Sequence, residues 1–418
     1  HLCDRRQRQM CIRDRFYMIQ QDFLEIIIQH QQNSLALKDV GMRRERLAAL
    51  PDVENYVLIV SGIRRCGKST LLNQLLREKH SNAFYVNFDD PRLYDFEISD
   101  FQKLDVVIAE AGCRVLVFDE IQVIKGWERY VRQKLDENFR VFVTGSNASL
   151  LSRELGTSLT GRHLTTELFP FSFSEFCCFK DYKADEEAVK EYMRMGGFPE
   201  FLKTGLEEIL VALLEDILVR DIAIRFGIKD VRSLKRLTLY LLANIGNLTS
   251  ANKLREPSGI GSVTTVLEYL SHLEQSYLFS FVPMFDYSLK RQAVNPKKIY
   301  AADLGLVMAN VRKIKGDEGH KLENMVYNFL RMKYKDIYYH RGIGECDFIV
   351  LDRGEVIKAV QVCLNLNTDN REREFAGLTD ALRTYRLSEG MVVTLSQEDW
   401  FEIDNFKIEV VPAFRFLM

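Results

Sequence analysis

Nine residues fix more of this chain than any other feature: Gly62-Ile63-Arg64-Arg65-Cys66-Gly67-Lys68-Ser69-Thr70, spaced as GxxxxGK[ST]. They follow an apolar run at 56–61 and open a helical run at Lys68, so both halves of the strand–loop–helix context are present. The glycines let successive backbone N–H groups curl round a phosphate, and the helix N-terminus adds its partial positive charge. Lys68 is placed to reach β- and γ-phosphates, and the Ser69 hydroxyl to ligate Mg²⁺. Gly62, Arg64, Arg65, Cys66, Gly67 and Thr70 complete the nucleotide-binding loop, with the two arginines read as exposed and facing a partner. The bland alternative, a glycine-containing βα turn that matches by chance, loses to that context.

Strands are expected at 56–61, 83–88, 114–119 and 140–145, and helices at 68–79, about 98–111 and 127–137. Near-continuous apolar strands alternating with helices predict an α/β fold, a parallel sheet covered on both faces. The run Val115-Leu116-Val117-Phe118 ends in Asp119-Glu120 at the carboxyl end of its strand. Alone, such a pair is as easily a solvated turn. In the same sheet as the loop, Asp119 is expected to hold Mg²⁺ through water and Glu120 to polarise the attacking water. Ser146 and Asn147, after the strand 140–145, are candidate sensors of the γ-phosphate. Asn87, at the end of 83–88, is a candidate to hold Glu120 unproductive. Arg162 in Gly161-Arg162 is a candidate arginine finger, acting within the chain or from a second copy.

From about residue 201 the pattern changes to Leu-rich helices. A helix starting at Ser262 carries Val266, Tyr269, Leu270, Leu273 and Leu278 mainly on one side, and 279–300 reads as a hairpin. Residues 225–298 hold 11 Lys and Arg against 5 Asp and Glu, with Lys290, Arg291, Lys297 and Lys298 clustered in that hairpin. Such a basic face fits phosphate contacts with double-stranded DNA; a protein contact with a solvated basic rim is the alternative.

Taken together, GIRRCGKST, RVLVFDEIQ, VFVTGSNASLL, LTGRHLTTELFPFSFSEF, MGGFPEFL and VRDIAIRFGI resemble prokaryotic AAA-type ATPases of the archaeal-ATPase group, related to signalling NTPases with numerous domains. The likeness covers about 40–418. It implies a P-loop ATPase core at 51–200, a helical lid and winged helix at 201–305, and a restriction-endonuclease-like α/β domain at 306–418. Ahead of that core, Phe23, Ile26, Ile27, Leu35 and Leu37 recur at helical spacing up to Pro51, which predicts a helical lead-in at 18–50 whose apolar side packs on the next domain. The likeness implies ATP hydrolysis by Lys68, Ser69, Asp119 and Glu120, Ser146 or Asn147 as first sensor, and Arg162 in the family's GR element. In the last domain Glu323, Asp347 and Gln361-Val362-Cys363 follow the nuclease order. Cys363 stands where a Lys is needed, with Lys358 a candidate migrated cation, so the nuclease fold is expected without cleavage.

Composition narrows the partners. The 418 residues are 47% hydrophobic and 28% charged with a net charge of −2, so any nucleic-acid contact is a local patch. No apolar run approaches the roughly 20 residues of a membrane helix. The eight cysteines include no CxxC pair, and free thiols in a reducing cytoplasm are the plain reading. Residues 1–17, Arg-dense and without periodicity, read as translated vector or adapter sequence, with Met18 as native start; without them the balance is −5. Three functions remain: an ATP-driven switch, with an unidentified protein partner or a homo-oligomer; an ATP-regulated DNA nuclease; and a nucleotide-gated interaction module with little turnover.

Overall fold

The computed structural model describes residues 19–51, 53–148, 159, 161–311 and 318–418. The segment 1–17 and its boundary at Met18 lie outside the described residues. The chain divides into two compact units. The first takes in the chain up to Gly62 together with Gly67–Leu168, and the second Ile63–Cys66 with Phe169–Met418. The division thus falls after Leu168.

In the first unit, β1 (Val57–Ser61), β2 (Ala83–Asn87), β3 (Val115–Asp119), β4 (Arg140–Gly145) and β5 (His163–Glu167) form one sheet in the order β2-β3-β4-β1-β5. Every pairing is parallel. Helices α1 (Gln21–Leu37), α2 (Lys68–Lys79), α3 (Phe101–Ala111) and α4 (Trp127–Asp136) accompany it. All five residues of β1 are buried, as a strand flanked on both sides requires. The edge strand β5 is mostly polar, and its HLTTE sequence gives no apolar signal. The core gathers Phe88, Phe101, Phe118 and Tyr130, with Phe101 and Tyr130 stacked at 3.9 Å between ring centroids. α1 buries Leu24, Ile27, Ile28 and Gln31 and leaves Phe23, Ile26 and Leu37 exposed, a face rotated from the one its periodicity suggests. Gln31 explains the rotation. Its amide donates to the Asn87 carbonyl at 3.0 Å and to Asp90 at 2.9 Å, and accepts from Asn87 N at 2.8 Å. Burying those groups unpaired would cost more than exposing one apolar side chain.

The second unit opens with α5 (Phe173–Lys180), α6 (Glu186–Met195), α7 (Pro199–Thr204) and α8 (Glu208–Asp216), which runs on as a π-helix over Ile217–Ile224. There follow α9 (Val231–Leu242), β6 (Leu248–Thr249), α10 (Ala251–Ser258), α11 (Val263–Gln275), β7 (Phe279–Val282), α12 (Leu289–Val294) and β8 (Lys297–Ala301). Their strands form an antiparallel sheet ordered β6-β8-β7. The expected hairpin is therefore two strands with a short helix between them. α13 (Leu304–Asn310) and α14 (Glu318–Lys333) lead into a six-stranded mixed sheet. Its strands are β9 (Asp336–Arg341), β10 (Glu345–Asp352), β11 (Glu355–Val362), β12 (Glu389–Thr394), β13 (Asp399–Ile403) and β14 (Phe406–Pro412), ordered β13-β14-β12-β11-β10-β9. α15 (Arg371–Tyr385) packs on it through Leu378 and Leu382. Among the described residues no helix is long and apolar enough to cross a membrane.

The GGFP element sits where two backbones nearly touch. Gly196 has φ +67°, and a Cβ on it would lie 2.2 Å from Asp303 Oδ1; one on Gly197 would lie 2.3 Å from the Phe171 carbonyl. The Asp303 carboxylate accepts from Gly197 N at 2.6 Å and caps α13 through Leu306 N at 3.1 Å. Burial pushes that carboxyl up to about 6, against the N–H groups of Gly197, Leu306 and Gly305. A carboxyl raised on folding binds its proton more tightly in the native state. Its contribution is complete below about pH 4 and declines by roughly 3 kcal/mol as pH rises through about 6. Urea unfolding of wild type and Asp303→Asn from pH 4 to 7 is expected to show wild type losing ground to the variant over that window. A pH-independent difference would contradict the assignment.

Candidate functional site

In the first unit the sheet delivers its polar residues to one end. Gly67, at φ +103°, turns the loop into α2, and a Cβ there would meet Arg44 Nη1 at 3.0 Å. Lys68 is buried, with Nζ 3.2 Å from the Gly62 carbonyl and 3.4 Å from Glu120 Oε1. Asp119 is enclosed by hydroxyls. Tyr85 OH donates to Oδ2 at 2.7 Å, Thr144 Oγ1 donates to Oδ1, and the Ser69 hydroxyl also bonds it. Burial, then repulsion from Glu120, raises the Asp119 carboxyl, and those three hydroxyls oppose the rise. Burial and the neighbouring Asp119 hold the Tyr85 phenol far above its usual range, so it stays a donor. Glu120 adopts φ +52°, unusual for a non-glycine residue, with its N–H donating to Thr144 Oγ1 at 2.8 Å. Gln122 Nε2 donates to Glu120 Oε2 and lies 3.5 Å from Ser146 Oγ.

Ser146 and Asn147 are buried just beyond β4, whose Gly145 lies opposite Ser61, the residue before the loop. Both stand at the loop end of the sheet. Asn87 does not reach Glu120 by any bond seen here. Its side-chain carbonyl accepts from Asp89 N at 3.0 Å, and Gln122 takes the place expected of it. Arg162 is not brought to the loop. Its carbonyl accepts from Val57 N at the start of β1, about 13 Å along the strand from the loop. Its guanidinium pairs with Asp136 at 2.7 Å. No finger acting within the chain follows from that position. Tyr85, Thr144 and Gln122 escaped the sequence reading. Thr144, the last side chain before Gly145, and Gln122, two residues past Glu120, were signalled only by adjacency.

The tip of the loop belongs to the second unit. There Arg64 Nε donates to Asp221 on the π-helix at 3.1 Å, with the two side chains 19% and 11% exposed. Arg64 is thus not the exposed residue expected, whereas Arg65 is, and it pairs with Glu200 at 3.0 Å and Asp216 at 3.6 Å. Cys66 is buried. A π-helical turn is rare and concentrates at functional positions.

The second unit also holds a polar cavity of ≈ 930 Å³ lined by Lys298, Glu323, Glu345, Asp347, Gln361 and Arg373 among others. Glu323 lies on α14, Asp347 on β10 and Gln361 on β11, as the sequence order predicted. Lys298 corrects the expected DNA face. It is 3% exposed, and its ammonium meets Asp347 at 2.7 Å, Glu345 at 2.8 Å and Glu323 at 3.0 Å. It therefore cannot touch a phosphate backbone, although Lys290 and Arg291 remain exposed. Lys358 is exposed on β11 and is not among the residues lining the cavity, and Cys363, a thiol that burial keeps protonated by pushing it up to about 11, carries no positive charge. His340 is a packed imidazole between Asp380 at 3.0 Å and Tyr385 at 2.9 Å.

A parallel sheet with a GxxxxGKS loop, and with Ser69, Asp119 and Glu120 gathered at that end, defines a P-loop nucleotide-binding domain of AAA type. An AAA-domain family model matches residues 54–177, and a domain of unknown function (DUF8612) matches 186–317. An uncharacterized protein of Methanocaldococcus jannaschii is 31% identical over 395 residues, covering 87% of this chain and 88% of its own. An uncharacterized protein of Haemophilus influenzae is 31% identical over 348 residues, covering 77% and 85%. The AMPPCP-bound DnaA structure from Aquifex aeolicus is 13% identical with a TM-score of 0.29, covering 55% of this chain and 85% of that one. The chain belongs to the family of the Methanocaldococcus and Haemophilus proteins.

Thr144→Val keeps the shape of the side chain and removes its hydroxyl. It leaves the Glu120 N–H and one Asp119 oxygen without their partner, an expected loss of about 1–3 kcal/mol by chemical denaturation. An unchanged midpoint would show that the hydroxyl does not anchor the acids.

Proposed function

We propose that this protein is a Mg²⁺-dependent ATPase whose first unit binds and hydrolyses ATP to drive a conformational switch. The observation that carries the reading is the convergence of Lys68, Ser69, Asp119 and Glu120 at one end of one parallel sheet. An alcohol and a carboxylate bonded to each other make a hard oxygen pair suited to Mg²⁺. Ser69 and Asp119 would hold the ion, which supplies charge to the phosphates. Loop N–H groups and Lys68 bind and orient the triphosphate. Glu120, beside Lys68, accepts a proton from the attacking water, and Thr144 and Gln122 hold it in position. Ser146 and Asn147 contact the terminal phosphate. Arg162, half-buried at the far end of the strands, serves as a cation only for a neighbouring copy.

In the second unit the order α9, β6, α10, α11, β7, β8 supports the winged-helix reading. DNA binding has less support. α11, the helix such a domain lays in the major groove, carries Glu268 and Glu274 and no Lys or Arg. A protein contact fits this surface better. The sequence α14, β9, β10, β11, α15, β12 supports the restriction-endonuclease-like reading of the last domain, and metal-dependent cleavage is the second activity worth testing because Glu323 and Asp347 share one cavity.

Residues 18–418 are expected to turn over Mg-ATP, with Lys68→Ala and Glu120→Gln each lowering kcat at least about a hundredfold. Duplex DNA is expected to leave the rate unchanged. Stimulation by DNA would restore the nucleic-acid role; tight nucleotide binding without turnover would leave only a nucleotide-gated module.

A further inference from the structure

We propose that the Lys298 ammonium is the resident counter-ion of the C-terminal acid cavity, and that by filling the position between Glu323, Glu345 and Asp347 it closes that cavity to divalent cations. The proposal concerns the second unit alone and does not depend on the ATPase reading.

An ammonium group has three N–H donors and no acceptor, and here each has a carboxylate within 2.7–3.0 Å, one from α14 and two from β10. Burial by itself would strip the proton from Lys298; the three carboxylates reverse that and hold it well above the usual lysine range. A divalent ion binds the same oxygens at about 2.0–2.6 Å. It and the ammonium compete for one position, so metal enters only as the lysine leaves.

Two of these acids carry further bonds. Asp347 Oδ2 accepts from Val362 N at 2.8 Å, and Glu323 Oε1 accepts from Tyr300 OH at 2.5 Å as well as from Lys298. Gln361 stands where a further acid would be needed. Its amide faces away from the pair, accepting from Asp347 N at 3.2 Å and donating to Glu374 at 2.7 Å. An amide cannot supply the negative charge that would favour a second metal bond. Lysine's strand, β8, belongs to the three-stranded sheet, while its acceptors lie on the helix and sheet that follow. The charge that completes the cavity is therefore lent by a different module, and it doubles as the clamp between the two.

The test is Mn²⁺ titration of nucleotide-free full-length protein, read by isothermal calorimetry and by thermal melting. Wild type and Asp347→Asn are expected to take up Mn²⁺ alike. Lys298→Met, which keeps an unbranched apolar stem and drops only the terminal ammonium, is expected to gain one Mn²⁺ per chain at least about tenfold tighter than any wild-type site. It should also gain melting temperature with Mn²⁺, and Lys298→Met/Asp347→Asn should lose both gains. Wild-type Mn²⁺ binding that Asp347→Asn removes would overturn the proposal, as would Mn²⁺-dependent plasmid nicking abolished by either single substitution. A folded Lys298→Met that gains no Mn²⁺ would overturn it too. Should Lys298→Met fail to fold, the wild-type and Asp347→Asn pair decides alone: equal uptake supports the proposal and Asp347-dependent uptake refutes it.

Discussion

Everything at the loop end of the first unit hangs on one buried carboxylate. Asp119 is wholly enclosed, and a charge in that position survives only if its lone pairs are met. They are met by hydroxyls from three separate elements: Tyr85 on β2, Thr144 on β4 and Ser69 on α2. The first two are delivered by strand register. Asn87 faces Asp119 and Val143 faces Phe118, so a slip of one residue in either pairing would turn a donor out of reach. The parallel sheet thus fixes the chemistry of its end more than the loop does.

The second unit solves its own electrostatic problem differently. Its C-terminal cavity gathers carboxylates on a helix and a strand and balances them with an amine brought by a neighbouring sheet. Pairing of this kind adds little net stability compared with apolar packing, but it leaves only one acceptable arrangement of the modules, because any other strands a buried charge. The GGFP element enforces the same kind of uniqueness by contact: no side chain fits between Gly196 and Asp303.

Local patterns were readable in the sequence, and distant pairings were not. The loop and the strand that ends in Asp119-Glu120 depend on neighbours along the chain, so residue spacing reveals them; the order Glu323, Asp347, Gln361 was legible only through the family resemblance. β5 was invisible because an edge strand needs few apolar residues. The buried face of α1 was misjudged because a glutamine anchor outweighed hydropathy. Lys298 read as one more basic residue of a hairpin. Nothing within ten positions of it hints at carboxylates 25 and 49 residues away. Gln122 and Thr144 stood in plain view, but their roles come from the turn at Glu120, which only the backbone reveals.

That turn has a cost written into it. A left-handed conformation at a side chain as large as glutamate is disfavoured by roughly 1 kcal/mol relative to glycine. Glycine at position 120 would relax the backbone while deleting the carboxylate. Selection for heat resistance alone would therefore drift toward glycine here, and a glutamate kept at this position in thermally selected variants would be a record of selection for the carboxylate rather than for endurance.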